Sequence, residues 1–141
     1  MTAKDFLKQY EEAQRRALRY KTEYERELEL IDAVGSTLGG EPGMPHGSGV
    51  SRSTETKALR LADKALKWKQ AELDAIQVRQ EVFDLICDIP KVEGEILYQR
   101  YVNLLKWEAV CIVVHLSWYA VHDHHKKALA IVQNRLDKMS I

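Results

Sequence analysis

Residues 116–129 read LSWYAVHDHHKKAL, so that His122, His124, His125, Lys126 and Lys127 crowd into one short run. Imidazoles at this density suggest two chemistries. They are metal ligands when two or three converge, and they form a cationic surface when they point outward beside lysine. Helical geometry of about 100° per residue separates the side chains into two sets. Val121, His125, Ala128, Val132 and Leu136 share one side, while Tyr119, His122, Asp123, Lys126 and Ala130 share another. The first set reads as core. The second reads as solvent-facing and free to meet a nucleic acid. His122 and His125 are three apart and suit one ion, but His124 points elsewhere, so a metal site would need further ligands from another element. No metal is expected. His125 reads instead as a core histidine with one satisfied nitrogen, and His122 and Lys126 as nucleic-acid contacts. His124 and Lys127 read as reaching flanking phosphates or as idle surface.

The elements that must hold this run lie just before it. Residues 91–103 read as a helix, Asn103-Leu104-Leu105 as a turn and residues 106–114 as a further helix. Trp107, Val110, Cys111 and Val114 recur at helical spacing and should face inward. His115 and Leu116 form a tight turn, with His115 among the residues that tolerate a left-handed backbone. Ser117 is the expected N-cap of a last helix running to about Met139. Helix, tight turn and capped helix together make a helix-turn-helix, whose second helix enters the major groove by its N-terminal end.

Upstream, residues 1–34 read as one long helix. Thr2 is the expected N-cap with Asp5 three residues on. A narrow stripe of Phe6, Tyr10, Ala13, Ala17, Tyr20, Tyr24, Leu28, Ile31 and Val34 gives it coiled-coil character. Residues 35–53 hold six of the seven glycines and two of the three prolines, and read as a long loop. Residues 54–89 read as a second long helix, capped by Thr54 or Ser53, with an apolar stripe at Leu59, Ala62, Leu66, Leu73, Ile76 and Phe83. Lys69 and Gln80 interrupt that stripe, and Ala58, Leu61, Ala65 and Trp68 widen it. The two long helices should pair antiparallel within one chain or meet their counterparts in a second copy, and a homodimer is expected. The fold class is therefore all-α: a coiled-coil-like antiparallel pair followed by a helix-turn-helix domain at residues 90–141.

Composition sets limits on function. The formal net charge is zero, which argues against a protein held to nucleic acid by bulk charge. Residues 90–141 carry seven Lys/Arg against five Asp/Glu and four of the five histidines, so the cationic surface is local. Cys87 and Cys111 lie far apart in apolar runs and read as buried, reduced thiols. The first residues, MTAKDFLKQYEEAQRR, are too charged for a signal peptide, and AVCIVV is too short to cross a membrane. A cytoplasmic protein with no membrane association is expected. No G-x-S-x-G, P-loop or HExxH pattern and no paired carboxylates with a cleft occur, and Ser117 near His122 reads as a cap rather than a nucleophile. Neither an enzyme nor a cofactor is expected.

The block LYQRYVNLLKWEAVCIVVHLSWYAVHDHHKKALAIV (97–132) resembles the region-4-type helix-turn-helix of sigma factors. It is most similar to phage-encoded ArpU/RinA-type transcriptional regulators. The matching features are Arg100-Tyr101 at the end of a helix, Trp107 opening the next, Leu116-Ser117 at the turn, and His125, Ala128 and Leu129 beyond it. GMPHGSGVSRSTETKALRLAD (43–63) resembles the segment that precedes the second long helix in such proteins. The resemblance implies sequence-specific binding to double-stranded DNA and control of phage or prophage genes in the bacterial host cytoplasm. The expected DNA-binding residues are Lys106, Ser117, Trp118, Tyr119, His122, Asp123, Lys126 and Lys127. Many members carry arginine near the start of the recognition helix, where this chain has Trp118, Tyr119 and Asp123; without it, bidentate reading of guanine is lost. The alternative the resemblance leaves is a phage protein that binds RNA polymerase, another regulator or a host defence protein.

Overall fold

The computed structural model describes residues 1–38 and 52–140, all of whose regular structure is helical. The order is α1 (Ala3–Leu38), α2 (Arg52–Ile86), α3 (Lys91–Leu97), a π-helical turn (Tyr98–Val102), α4 (Trp107–Val114) and α5 (Trp118–Met139). The all-α class is as expected. α1 overruns its expected end, whereas α2 starts earlier than expected and stops at Ile86, short of residue 89. α1 continues through Gly35, Ser36 and Thr37 to Leu38, and α2 begins at Arg52, so Ser53 and Thr54 lie inside the helix rather than before it. One Gly costs a helix about 1 kcal/mol and Ser and Thr less, so a helix already nucleated can extend over them. The remainder of the Gly/Pro-rich loop, residues 39–51, lies outside the described residues.

The chain divides into two compact units, one of residues 14–73 and one of residues 1–13 with 74–141. This is a correction to the expected boundary at residue 90. The start of α1 and the end of α2 share a core with the C-terminal helices, so a packing boundary does not fall between α2 and α3.

Residues 14–73 form an antiparallel hairpin of the later part of α1 and the earlier part of α2. A carboxylate is buried in it: Glu27 accepts from Lys64 Nζ at 3.2 Å, with Arg60 at 3.9 Å. Tyr24 packs on Trp68 with ring centroids 5.4 Å apart, and Lys21 lies over the same indole at 6.0 Å. Ala17 and Ala71 are buried. This arrangement corrects the expected stripes. Glu27 takes an inward position that the pattern gives to Leu28. On α2 the inward side is Leu61, Lys64, Ala65, Trp68 and Ala71, while Leu59, Leu66 and Leu73 face solvent at 72%, 69% and 52% exposure. α2 thus carries two apolar stripes. The one with the indole and a paired lysine turns inward, because Trp68 buries more apolar area than any leucine and Lys64 neutralises Glu27.

In the other unit, Thr2 and Asp5 form the expected capping box. The Asp5 amide donates to Thr2 Oγ1 at 3.2 Å and the Thr2 amide to Asp5 Oδ2 at 3.4 Å. Gln133 of α5 adds a second cap by accepting from the Ala3 amide at 2.8 Å. Leu7, rather than Phe6, is the fully buried residue of the first turns, and packs in a core with Val82, Ile86, Leu97, Tyr101, Ala128 and Val132. Arg135 of α5 donates to the Leu85 carbonyl at 2.7 Å and to the Asp88 carboxylate, closing the end of α2. That contact holds the Asp88 carboxyl below its usual range. Cys87 is exposed and Cys111 half-buried, so the expectation of two buried thiols fails for Cys87.

The third helix also differs from expectation. Instead of running to residue 103, it widens after Leu97 into a π turn, with the Asn103 amide donating to the Tyr98 carbonyl at 3.0 Å. Such a turn inserts one residue and lets Tyr101 and Val102 both face inward. Two of the turns require unusual backbone. Leu104 and His115 are left-handed, each with φ 57°.

Two substitutions test this geometry with opposite signs. A Cβ on Gly94 would sit 1.9 Å from the Ile89 carbonyl oxygen, so Gly94→Ala should cost at least about 2 kcal/mol in urea unfolding. His115→Gly should stabilise by about 0.5–1 kcal/mol, because glycine meets the left-handed conformation without Cβ strain.

Candidate nucleic-acid interface

α4 ends at Val114 and hands over to α5 in two linking residues and a cap. The left-handed His115 lets its own amide bond to the Ile112 carbonyl at 3.3 Å and the Leu116 amide to the Cys111 carbonyl at 3.2 Å. Both are C-terminal carbonyls of α4 that would otherwise lack partners. Ser117 then takes an extended backbone, and its Oγ accepts from the Ala120 amide at 3.2 Å. Ile96, Val110 and Val121 form a small core at this corner, with Trp107, Cys111, Val114 and Leu116 packed around it.

The inner side of α5 is as the helical wheel requires. Val121, Ala128 and Val132 are buried, and His125 is 7% exposed. His125 Nε2 lies 2.7 Å from the Tyr101 hydroxyl. Its ring meets the edge of Trp107 at 4.6 Å between centroids. Burial pushes His125 down to about 4 and Tyr101 up to about 12, so near neutral pH both are uncharged. Trp107 is also held by Arg100, whose guanidinium lies 5.1 Å from the ring centroid and donates to the Leu105 carbonyl at 2.8 Å.

The outer side holds most of the expected contacts. Tyr119 is 88% exposed, and Asp123, Lys126 and Lys127 are exposed with it. Tyr119, His122 and Lys126 fall at helical spacings of three and four, which aligns them along one strip of α5. Trp118 is about half exposed. Lys106 is exposed at the N-terminal flank of α4, and Ser117 is spent on its cap.

Several residues behave differently from the simple surface picture. His122 is half-buried, with its ring stacked on Trp118 at 4.4 Å and tilted against Trp107 at 4.8 Å. Its Nδ1–H donates to the Trp118 carbonyl at 3.0 Å, which leaves Nε2 as the ring's acceptor nitrogen in the neutral form. Asp123 and Lys127 pair at 3.6 Å, so each cancels the other's charge on the strip. His124 turns to α3 and bonds Glu93 at 3.0 Å, which corrects the expectation that it reaches phosphates or stands idle. That bond holds the Glu93 carboxyl below its usual range. The three imidazoles therefore take three separate partners, and among the described residues no group of three or more His, Cys, Asp or Glu is arranged to hold a metal ion. The outward Ile112 and Val113 of α4 are absent from the residues the sequence pointed to, although their two consecutive positions outside the Trp107–Val110–Val114 pattern were the available signal.

The depressed His125 makes a signed prediction. An unfolded histidine takes up a proton near pH 6.5, whereas the folded one resists until about pH 4. Protons therefore favour the unfolded chain throughout that window. Stability from this site is complete above about pH 6.5 and falls as pH drops toward 4. Thermal or urea unfolding at pH 7.5 and pH 5 should differ by on the order of 1–2 kcal/mol for this reason. His125→Phe should lose about 1–3 kcal/mol at pH 7.5, where the Tyr101 hydroxyl is left without its partner, and should flatten the dependence between pH 7.5 and 5. An unchanged pH slope in that variant would contradict the assignment.

Compared with family models, curated proteins and solved structures, the chain matches none.

Proposed function

We propose that this protein is a DNA-binding transcriptional regulator of phage or prophage genes, with α5 as its recognition helix. The observation that carries this reading is the rigid α4–turn–α5 corner, whose buried side is complete and whose outer strip keeps Tyr119 and Lys126 free. A helix held this firmly by Val121, His125, Ala128 and Val132 presents fixed side chains rather than a mobile tail. Phosphate contacts would come from Lys106, Lys126 and the first-turn amides of α5. Base-edge contacts would come from Tyr119 and from His122 Nε2, with Trp118 as an apolar neighbour for a thymine methyl. The resemblance of residues 97–132 to region-4-type helix-turn-helix sequences supports the same assignment.

A second reading rests on a separate observation. Ile112, Val113, Trp118 and Tyr119 are large apolar or aromatic side chains exposed around the same corner. The first turn of α5 also lacks arginine. A surface of this composition suits a protein partner, such as RNA polymerase or another host protein, with α5 as one wall of the contact.

Fluorescence anisotropy with promoter duplexes from the phage and its host tests the first reading. Lys126→Ala should weaken binding to all duplexes alike and reduce the salt slope by about one. Tyr119→Ala should reduce discrimination between duplexes by about 1–3 kcal/mol. Asp123→Asn should tighten binding, since it removes a negative charge from the strip. Uniform weak binding that ignores all three substitutions would reject DNA reading. Loss of a stoichiometric host partner on Ile112→Ser, in nuclease-treated extract and with DNA binding unchanged, would support the second reading.

A further inference from the structure

Among the described residues of the hairpin, the outward stripe of α2 is left exposed. Leu59, Ala62, Leu66, Lys69 and Leu73 are all exposed, at spacings of three, four, three and four. The same helix carries the pattern on to Ile76, which is exposed as well. This is the alternation of a two-stranded coiled-coil seam, and it is distinct from the inward stripe through Lys64, Trp68 and Ala71. A row of exposed leucines at this regularity is costly to leave in water.

We propose that this face of α2 is covered by the same face of a second copy of the chain, running antiparallel about a two-fold axis near residues 67 and 68. The inference is independent of the DNA-binding reading. Three observations select a second copy. First, the seam is self-complementary in that register: Leu59 meets Ile76 of the partner subunit, Ala62 meets Leu73 of the partner subunit, and Leu66 meets Lys69 of the partner subunit. Every large exposed apolar residue of the stripe is then covered, and the small Ala62 faces a leucine rather than another alanine. Second, charge is complementary. Lys69 is the one charged residue in the stripe, and the antiparallel register sets Asp63 of the partner subunit beside it. A parallel pairing would instead stack Lys69 on its own counterpart. Asp63 is an exposed carboxylate paired with Lys67 on its own helix at 3.1 Å, and a carboxylate oxygen can accept from a second lysine as well. Third, the chain has a formal net charge of zero, so two copies approach without long-range repulsion.

Sedimentation equilibrium of the full chain, over micromolar concentrations, tests this. The wild-type chain should show a monomer–dimer equilibrium. Leu66→Glu with Leu73→Glu should shift the dissociation constant upward at least tenfold while leaving the far-ultraviolet circular dichroism unchanged, since both positions face solvent in the single chain. Lys69→Leu should shift it downward about tenfold, because it removes the one charge buried in the seam. That gain keeps the proposal testable even if the double variant folds poorly. A wild-type chain that stays monomeric throughout, or a dimer indifferent to all of these substitutions, would overturn it and leave the stripe to another occupant.

Discussion

The corner on which any function of α5 depends is held by one short polar contact inside an apolar core, the 2.7 Å bond between the Tyr101 hydroxyl and His125 Nε2. A buried imidazole or phenol without a partner costs on the order of 1–3 kcal/mol, so each group requires the other. The bond also has direction. It fixes the rotation of α5 about its own axis relative to the π turn, because His125 can reach Tyr101 from only one face of the helix. Trp107 then packs against the same imidazole and carries the Arg100 guanidinium over its ring. Apolar contacts at Val121, Ala128 and Val132 would tolerate small rotations of α5, whereas a hydrogen bond and two ring contacts would not. The angular position of Tyr119 and Lys126 on the outer strip is thus set by groups on the opposite side of the same helix.

The π turn follows from this requirement. Arg100 and Tyr101 are consecutive, yet one must reach the Leu105 carbonyl and the Trp107 face while the other must enter the core. In a regular helix, the Tyr98–Val102 stretch would place only part of its apolar residues inward. One inserted residue widens the turn enough to bury Tyr101 and Val102 together. The Arg100-Tyr101 pair that the sequence displays as a motif is, in physical terms, a clamp and an anchor that share a single widened turn.

How much of this was legible in the sequence depends on how many stripes a helix carries. α5 has one apolar side and one polar side, and its buried set, its Ser117 cap and the left-handed His115 could all be read directly from residue types. α2 has two apolar stripes, one through Leu59, Leu66 and Leu73 and one through Leu61, Ala65 and Trp68. Periodicity alone favours the first, which holds more leucines. What turns the second inward is a pairing between distant positions, Glu27 with Lys64 and Tyr24 with Trp68, that no local pattern reports. The same reasoning explains the missed partners of His124 and Arg135. Their carboxylates, Glu93 and Asp88, stand 31 and 47 residues away.

The candidate site carries a comparable ambiguity, now between charge and apolarity. A groove reader without arginine in its first turn must take its affinity from lysines, helix-terminal amides and stacking, and here one lysine of the strip, Lys127, is neutralised by Asp123. The remaining cationic side chains, Lys106 and Lys126, are too few to hold a single chain tightly at physiological salt, since each phosphate contact contributes only modestly there. Two such strips on one duplex would multiply that affinity through the effective concentration of the second for its half-site. On the proposed reading of α5, a second copy would therefore raise affinity with no change to the recognition helix itself.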